Sequence, residues 1–164
     1  MKKAKQQLTI LGLRLYLNAL ALFNPAKAGT IAFQIFCTPR QGRLREKDTQ
    51  FLNTADEQKD LHVNDLNIRC YHWRGPGDTV LLVHGWESNA ARWQRVIRQL
   101  RAKGFNVVAV DGPGHGQSGS RQFNVPLYAQ MLETVVAHYQ PQSLVGHSIG
   151  GFASVFLLSE GHAP

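Results

Sequence analysis

From Thr79 onward the chain alternates short apolar runs with longer amphipathic ones, and few architectures accept that rhythm. Thr79 to His84, Asn106 to Asp111 and Ser143 to His147 have the length and β-branched content of buried strands. Between them, Ala91 to Lys103 sets Trp93, Val96, Ile97 and Leu100 on one helical face, and Pro126 to Tyr139 does the same with Leu127, Met131, Val135 and His138. A third helical run, Gly151 to Glu160, follows the last strand. Strand, helix, strand, helix, strand, helix predicts an α/β fold with a mainly parallel sheet and flanking helices. The 164 residues have room for one such core. A content of 43% hydrophobic residues excludes a disordered chain. Cys37 and Cys70, far apart and outside any C-x-x-C pattern, exclude a disulfide framework and a cysteine-rich zinc module.

Ahead of this rhythm the period is two. Leu66, Ile68 and Cys70 alternate with Asn67, Arg69 and Tyr71, and Leu61 and Val63 precede the turn pair Asn64-Asp65, which predicts a β-hairpin. Arg74 to Asp78 is a turn, rich in glycine and proline. The polar, irregular residues 38–60 are expected as a linker or meander, and residues 61–164 as the domain proper, an incomplete α/β unit.

Residues 1–37 are expected as a basic, amphipathic helical extension. Residues 1–45 hold eight Lys or Arg and no Asp or Glu, whereas 46–164 hold ten against eleven, so the net charge of +7 is an N-terminal property. Leu8 to Phe23 is apolar but interrupted by Arg14 and Asn18, and it is shorter than the roughly 20 residues that span a bilayer. Gln7, Arg14 and Asn18 share one narrow helical face. Asn24 caps and Pro25 opens a second helix, with Lys27, Thr30 and Gln34 on its polar side and Ile31, Ile35 and Phe36 on its apolar side. The first expectation for this pair is packing against the domain or covering a site. Reversible membrane contact is a second reading. An export signal is a third, since Met1 to Gln7 resembles the charged start of one and Ala26-Lys27-Ala28 a cleavage site. The corresponding locations are the cytoplasm, the membrane periphery, or outside the cell.

The chemistry gathers where the strands end. Gly146-His147-Ser148-Ile149-Gly150 matches G-x-S-x-G, with an apolar strand before it and a helical run after it. An abrupt strand-to-helix turn strains its central residue, and only small neighbours tolerate it, hence Gly146 and Gly150, with Gly151 beyond. Ser148 is the candidate nucleophile, lifted above the sheet at a helix N-terminus. Val83-His84-Gly85-Trp86 ends the first parallel strand. Asp111-Gly112-Pro113-Gly114-His115-Gly116-Gln117-Ser118-Gly119 ends the second; it lacks the Gly-Lys-Ser/Thr ending of a phosphate loop.

On these three motifs, across Leu61 to Glu160, the chain resembles the α/β-hydrolase family, in its serine-nucleophile branch of esterases, lipases and serine aminopeptidases. The resemblance implies that Trp86 and Ile149 supply the two backbone N–H groups of an oxyanion hole, with Ser148 as nucleophile. It further implies that His84, Gly85, Gly146, His147, Gly150 and Asp111 support the turns, and that no metal or organic cofactor is required. Asp111 as an alternative nucleophile or triad acid is disfavoured, because the family's acid follows its serine. His84 is expected to hold its turn, His147 to be turned towards the protein, and His115 to be a remote surrogate base. Glu87, Ser88 and Asn89 are candidate pocket residues by position.

The chain order Ser, Asp or Glu, His departs here, since only sixteen residues follow Ser148. Glu160 would stand about 18 Å away along a helix, and His162 is no better placed. The expectation is therefore the N-terminal part of a longer hydrolase, truncated after the nucleophile helix, with a sheet edge at Ser143 to Val145 and poor solubility. The complete protein is expected to cleave a carboxylic ester through an acyl-enzyme, with little activity in this chain alone. Amide or peptide hydrolysis, acyl transfer, or a catalytically dead binding domain are the alternatives. Expected partners are a small-molecule ester or amide and no nucleic acid, because Arg92, Arg95, Arg98 and Arg101 make a solvated helix face; the oligomeric state is left open.

Overall fold

The computed structural model describes residues 2–161 and divides into two compact units, residues 1–38 and 39–164. The first unit is a helical pair, α1 (Lys2–Phe23) and α2 (Pro25–Phe36), packed on each other. The break between them is local chemistry. Asn24 leaves helical geometry at φ −150°, its Oδ1 accepts the Lys27 N–H at 2.9 Å, and Pro25 starts the new helix without a donor to satisfy. Leu13, Leu17 and Leu20 of α1 and Ile31 and Ile35 of α2 are half-buried. Phe36, expected on the apolar side with the two isoleucines, is instead 77% exposed.

The second unit opens with α3 (Glu46–Leu52) and continues through β1 (Glu57–Val63), β2 (Leu66–Trp73), β3 (Thr79–Val83), a 3-10 turn (Ala90–Trp93), α4 (Gln94–Ala102), β4 (Asn106–Val110), α5 (Val125–Tyr139), β5 (Ser143–Gly146) and α6 (Ile149–Ser159). The linker expected over 38–60 is thus corrected. It contains a short helix whose first turn is closed by the Asp48 carboxylate, which accepts the Arg45 N–H at 3.1 Å and the Arg45 guanidinium at 2.8 Å; Phe51 and Leu52 of this helix are buried, and β1 begins four residues before the expected Leu61.

The strands form one sheet in the order β1-β2-β4-β3-β5. β2 is antiparallel to β1 and β4, while β3 is parallel to β4 and β5, so four of the five strands run one way. The hairpin turn works because Asn64 takes the left-handed conformation at φ 51°, which its short side chain tolerates.

Strand periodicity sorts the core into two layers. Ile68, Cys70, Leu81, Val83, Val108 and Val110 face α5 and α6, and Tyr71, Trp73, Val80, Leu82, Val107 and Ala109 face α3, the 3-10 turn and α4. On α5 the buried stripe is Tyr128, Met131, Leu132, Val135 and Val136, and His138, expected within it, is exposed. Of the four arginines along the 3-10 turn and α4, Arg98 lies over the Phe51 ring at 5.9 Å and Arg101 approaches Asp56 at 3.8 Å, so part of that row is held to its own domain. Among the described residues β5 pairs only with β3 and lies at the sheet's edge, with Val145 39% exposed.

Candidate active site

The carboxyl ends of β3, β4 and β5 bring the three motifs together. At the end of β5 the backbone reverses into α6 within one residue. Ser148, the N-cap of α6, sits at φ 54°, ψ −127°, a region that side chains other than hydrogen occupy at a cost of about 1–3 kcal/mol. Its side chain is exposed. The flanking glycines are steric requirements. A Cβ on Gly146 would collide with the Gly151 Cα, and one on Gly150 would collide with the carbonyls of Val83 and His84. Ile149 opens α6, so its N–H is among the four amides that a helix leaves without an intrahelical acceptor.

The loop after β3 lies against this elbow. A Cβ on Gly85 would stand 2.9 Å from the His147 carbonyl and 3.2 Å from the Ser148 Cβ, so only glycine lets the chain pass this close to the serine. Trp86, the next residue, is partly exposed and packs edge-on against His115 and Phe123 at 5.8 and 5.2 Å. Glu87 takes a left-handed φ of 48°, a feature its residue type did not signal.

Beneath the elbow the polar residues are committed. The buried His84 accepts the Gly112 N–H on Nε2 at 2.8 Å, which leaves its Nδ1 hydrogen to be donated to the Gly85 carbonyl at 2.7 Å. His115 repeats the arrangement, accepting the Glu87 N–H on Nε2 at 2.9 Å and donating from Nδ1 to the Pro113 carbonyl at 2.8 Å. Both rings are therefore neutral, and burial pushes both pKa values down to about 4. His84 stitches the β3 loop to the β4 loop, as its expected structural role requires. His115, weighed as a surrogate base, is fully buried with both nitrogens occupied and cannot meet a substrate.

Asp111 is equally enclosed. Its carboxylate accepts the Ala90 and Gln117 amides at 2.8 and 2.9 Å and the Tyr71 hydroxyl at 3.0 Å. Burial raises its pKa, and these three donors oppose the rise. Gly116, at φ 50°, lies so close that any Cβ would strike that carboxylate. Asp111 is thus a brace and offers no attacking oxygen. Ser118, at the end of the same loop, donates to the Asp111 carbonyl at 2.6 Å and accepts the Arg69 N–H at 2.9 Å, tying the loop to β2.

His147 departs from expectation. Its ring is exposed instead of turned inward, and its Nε2 accepts from Arg92 Nη2 at 3.1 Å. Arg92 also lines a cleft of about 580 Å³ bounded by Gly42, Arg43, Arg45, Glu87, Ser88 and Asn89; Ser148 is not part of its lining. The segment mistaken for linker supplies its opposite wall. Gly42 accepts the Gly116 N–H at 2.9 Å, Arg43 donates to the Gly116 carbonyl at 3.0 Å, and the Arg40 N–H reaches Glu87 at 3.0 Å. The one sequence signal for this docking is Gly42, which sits at φ 93° with its missing Cβ against His115.

Glu160 caps the far end of α6, and His162 lies outside the described residues. Among the described residues no three His, Cys, Asp or Glu side chains gather as a metal site needs. Chemically, the arrangement is an exposed hydroxyl on a strained turn, at a helix N-terminus, over a floor of buried, hydrogen-bonded groups.

The pattern of the serine aminopeptidase S33 family matches residues 74–163. A hydrolase of Bacillus subtilis named YugF, itself uncharacterised, is 34% identical over 99 residues, covering 57% of this chain and 36% of that protein. A pimeloyl-[acyl-carrier protein] methyl ester esterase of Vibrio vulnificus is 32% identical over 89 residues, covering 52% of this chain and 34% of the esterase. The chain therefore spans about a third of the length of these relatives. Among solved structures, the thioesterase domain from the curacin biosynthetic pathway superposes with a TM-score of 0.58 at 31% identity, over 63% of this chain and 41% of that one. With more than half its length matched by the family pattern, and with a mixed, mostly parallel sheet, this chain belongs to the serine aminopeptidase S33 family of α/β-hydrolases.

Proposed function

We propose that Ser148 is the nucleophile of a hydrolase that cleaves carboxylic esters through an acyl-enzyme. The observation that carries this reading is the exposed hydroxyl held at φ 54°, ψ −127° between β5 and α6. A strained serine is kept where two glycines must flank it, and the packing would be easier with a third glycine in its place. In the proposed reaction Oγ attacks the substrate carbonyl carbon, and a general base takes the hydroxyl proton and returns it to the departing alcohol. Water then attacks the acyl-enzyme and frees the acid. The Trp86 and Ile149 N–H groups receive the negative charge of the tetrahedral intermediate, a contribution of about 2.7–4 kcal/mol for each such donor. The helix N-terminus at Ile149 and the close passage of Gly85 beside Ser148 support that assignment. His84 and His115 are both enclosed, with each ring nitrogen already hydrogen-bonded, so neither serves as that base.

Two relatives favour an acyl group on oxygen or sulfur, one being described as a methyl ester esterase and the other as a thioesterase domain. The description of the family favours a second reading, hydrolysis of an amide or peptide bond by the same serine. The test is fluorophosphonate labelling of the protein expressed from its complete reading frame, followed by peptide mapping. An adduct on Ser148, lost in Ser148→Ala together with nearly all turnover of a 4-nitrophenyl ester, is expected. Labelling that survives Ser148→Ala, or a Ser148 that stays unmodified, would refute the assignment. Relative rates on an ester and the matching anilide separate the two substrate readings.

A further inference from the structure

The helical pair carries an apolar surface that its own packing leaves uncovered. At 100° per residue, Leu13, Leu17 and Leu20 of α1 fall together on its half-buried side. Leu8, Leu11, Leu15 and Leu22 fall within an arc of about 60° on the opposite side, and they are 69, 52, 61 and 83% exposed. Arg14 and Asn18 border that stripe and are themselves exposed. A leucine stripe repeated over four turns and aimed away from its helical partner requires an apolar neighbour.

Charge and length identify the neighbour. Residues 1–38 contain Lys2, Lys3, Lys5, Arg14 and Lys27 and no acidic residue. A second copy of the pair would meet this one with like charge, whereas an anionic surface would meet it with opposite charge. Among the described residues no helix is long and apolar enough to cross a membrane. A helix with a leucine face, a cationic border and too little length to span has the features of one that lies flat in a lipid interface.

We propose that α1 is an interfacial anchor whose stripe of Leu8, Leu11, Leu15 and Leu22 beds into the headgroup–acyl boundary of an anionic phospholipid bilayer. α2 holds α1 from behind through Leu13, Leu17 and Leu20, and Arg14 at the border of the stripe binds a lipid phosphate. The anchor is independent of the hydrolytic chemistry.

The test is sedimentation of the 164-residue chain with vesicles of phosphatidylcholine alone or mixed with phosphatidylglycerol. Binding to the mixed vesicles, weakened by salt and by Arg14→Glu, is expected. The exposed pair Leu15→Gln and Leu22→Gln should lower it by at least about tenfold while the helical circular dichroism is unchanged. A Leu15→Trp reporter should shift to the blue and be quenched by lipids brominated on the acyl chain. Failure to sediment with anionic vesicles, equal binding to both vesicle types, or a reporter untouched by the brominated chains would overturn the proposal. Loss of self-association instead of vesicle binding in the double variant would likewise overturn it, in favour of a second copy as the occupant.

Discussion

His84, expected to hold its turn, and His115, weighed as a remote surrogate base, are placed alike in the structure, and what fixes their roles is hydrogen-bond accounting. Each ring has a backbone N–H entering Nε2 and a backbone carbonyl beyond Nδ1, so a second proton would destroy one bond and place a charge in a buried site. Their pKa values of about 4 in the fold lie below the roughly 6.5 of an unfolded chain. A depressed base gives stability that is whole above pH 6.5 and is lost as pH falls towards 4, because the unfolded chain takes up the protons first. Each ring contributes a slope of up to about 1.4 kcal/mol per pH unit in that window. Asp111, with a raised pKa, acts in the opposite sense and offsets part of the loss. Urea unfolding should therefore show declining stability from pH 6.5 to 4, and His115→Gln should flatten the profile; a wild-type profile without slope would contradict the neutral-ring assignment. Ser148 was legible in advance because a strained turn demands Gly146 and Gly150 at fixed positions. Asp111 and His115 were less so, since buried braces and catalytic groups use the same side chains, and only their partners tell them apart.

At the scale of elements, strands and long helices announced themselves through period, while short polar elements did not. β3, β4 and β5 came from apolar runs, and α5 from its 3.6-residue repeat. The seven-residue α3 has too few turns for a repeat, and it forms because the Asp48 carboxylate accepts the Arg45 N–H and guanidinium at its start and because Phe51 and Leu52 find a hydrophobic layer made by distant strands. The end of α5 leaves a local cost in place. Gln140 closes the helix at φ 45°, its N–H bonded to the Val136 carbonyl at 2.8 Å, in a conformation that glycine adopts without strain. Gln140→Gly should stabilise the domain by roughly 0.5 kcal/mol, the relief of left-handed strain exceeding the added chain entropy. A thermal melt reads this directly, and a lowered midpoint would mean that the side chain itself holds the turn.

For the molecule as a whole, strand order decides what is exposed. β5 carries the elbow yet lies at the sheet's edge among the described residues, with Val145 39% exposed. Beside it in sequence, α6 presents Phe152, Val155 and Leu158 at 60, 63 and 42% exposure. An unpaired, apolar edge next to an apolar helix face recruits other strands. The 164-residue chain should therefore self-associate with rising concentration. Val145→Lys, which charges the edge while leaving the backbone ladder to β3 intact, should reduce the light scattering. A chain that stays monomeric at high concentration would show that this edge is adequately protected as it stands.

The order of elements, the strained serine between its glycines, the hairpin and the basic helical pair were all fixed by neighbours in sequence, because periodicity, turn chemistry and capping act over a few residues. The fates of His84, His115, Asp111 and His147, the docking of Gly42 and Arg43 onto the loops, and the stripe left bare on α1 were decided by the tertiary structure alone. Each depends on which distant backbone groups and side chains arrive within hydrogen-bonding or packing distance, and apart from the glycine at 42 that proximity leaves no trace in local pattern.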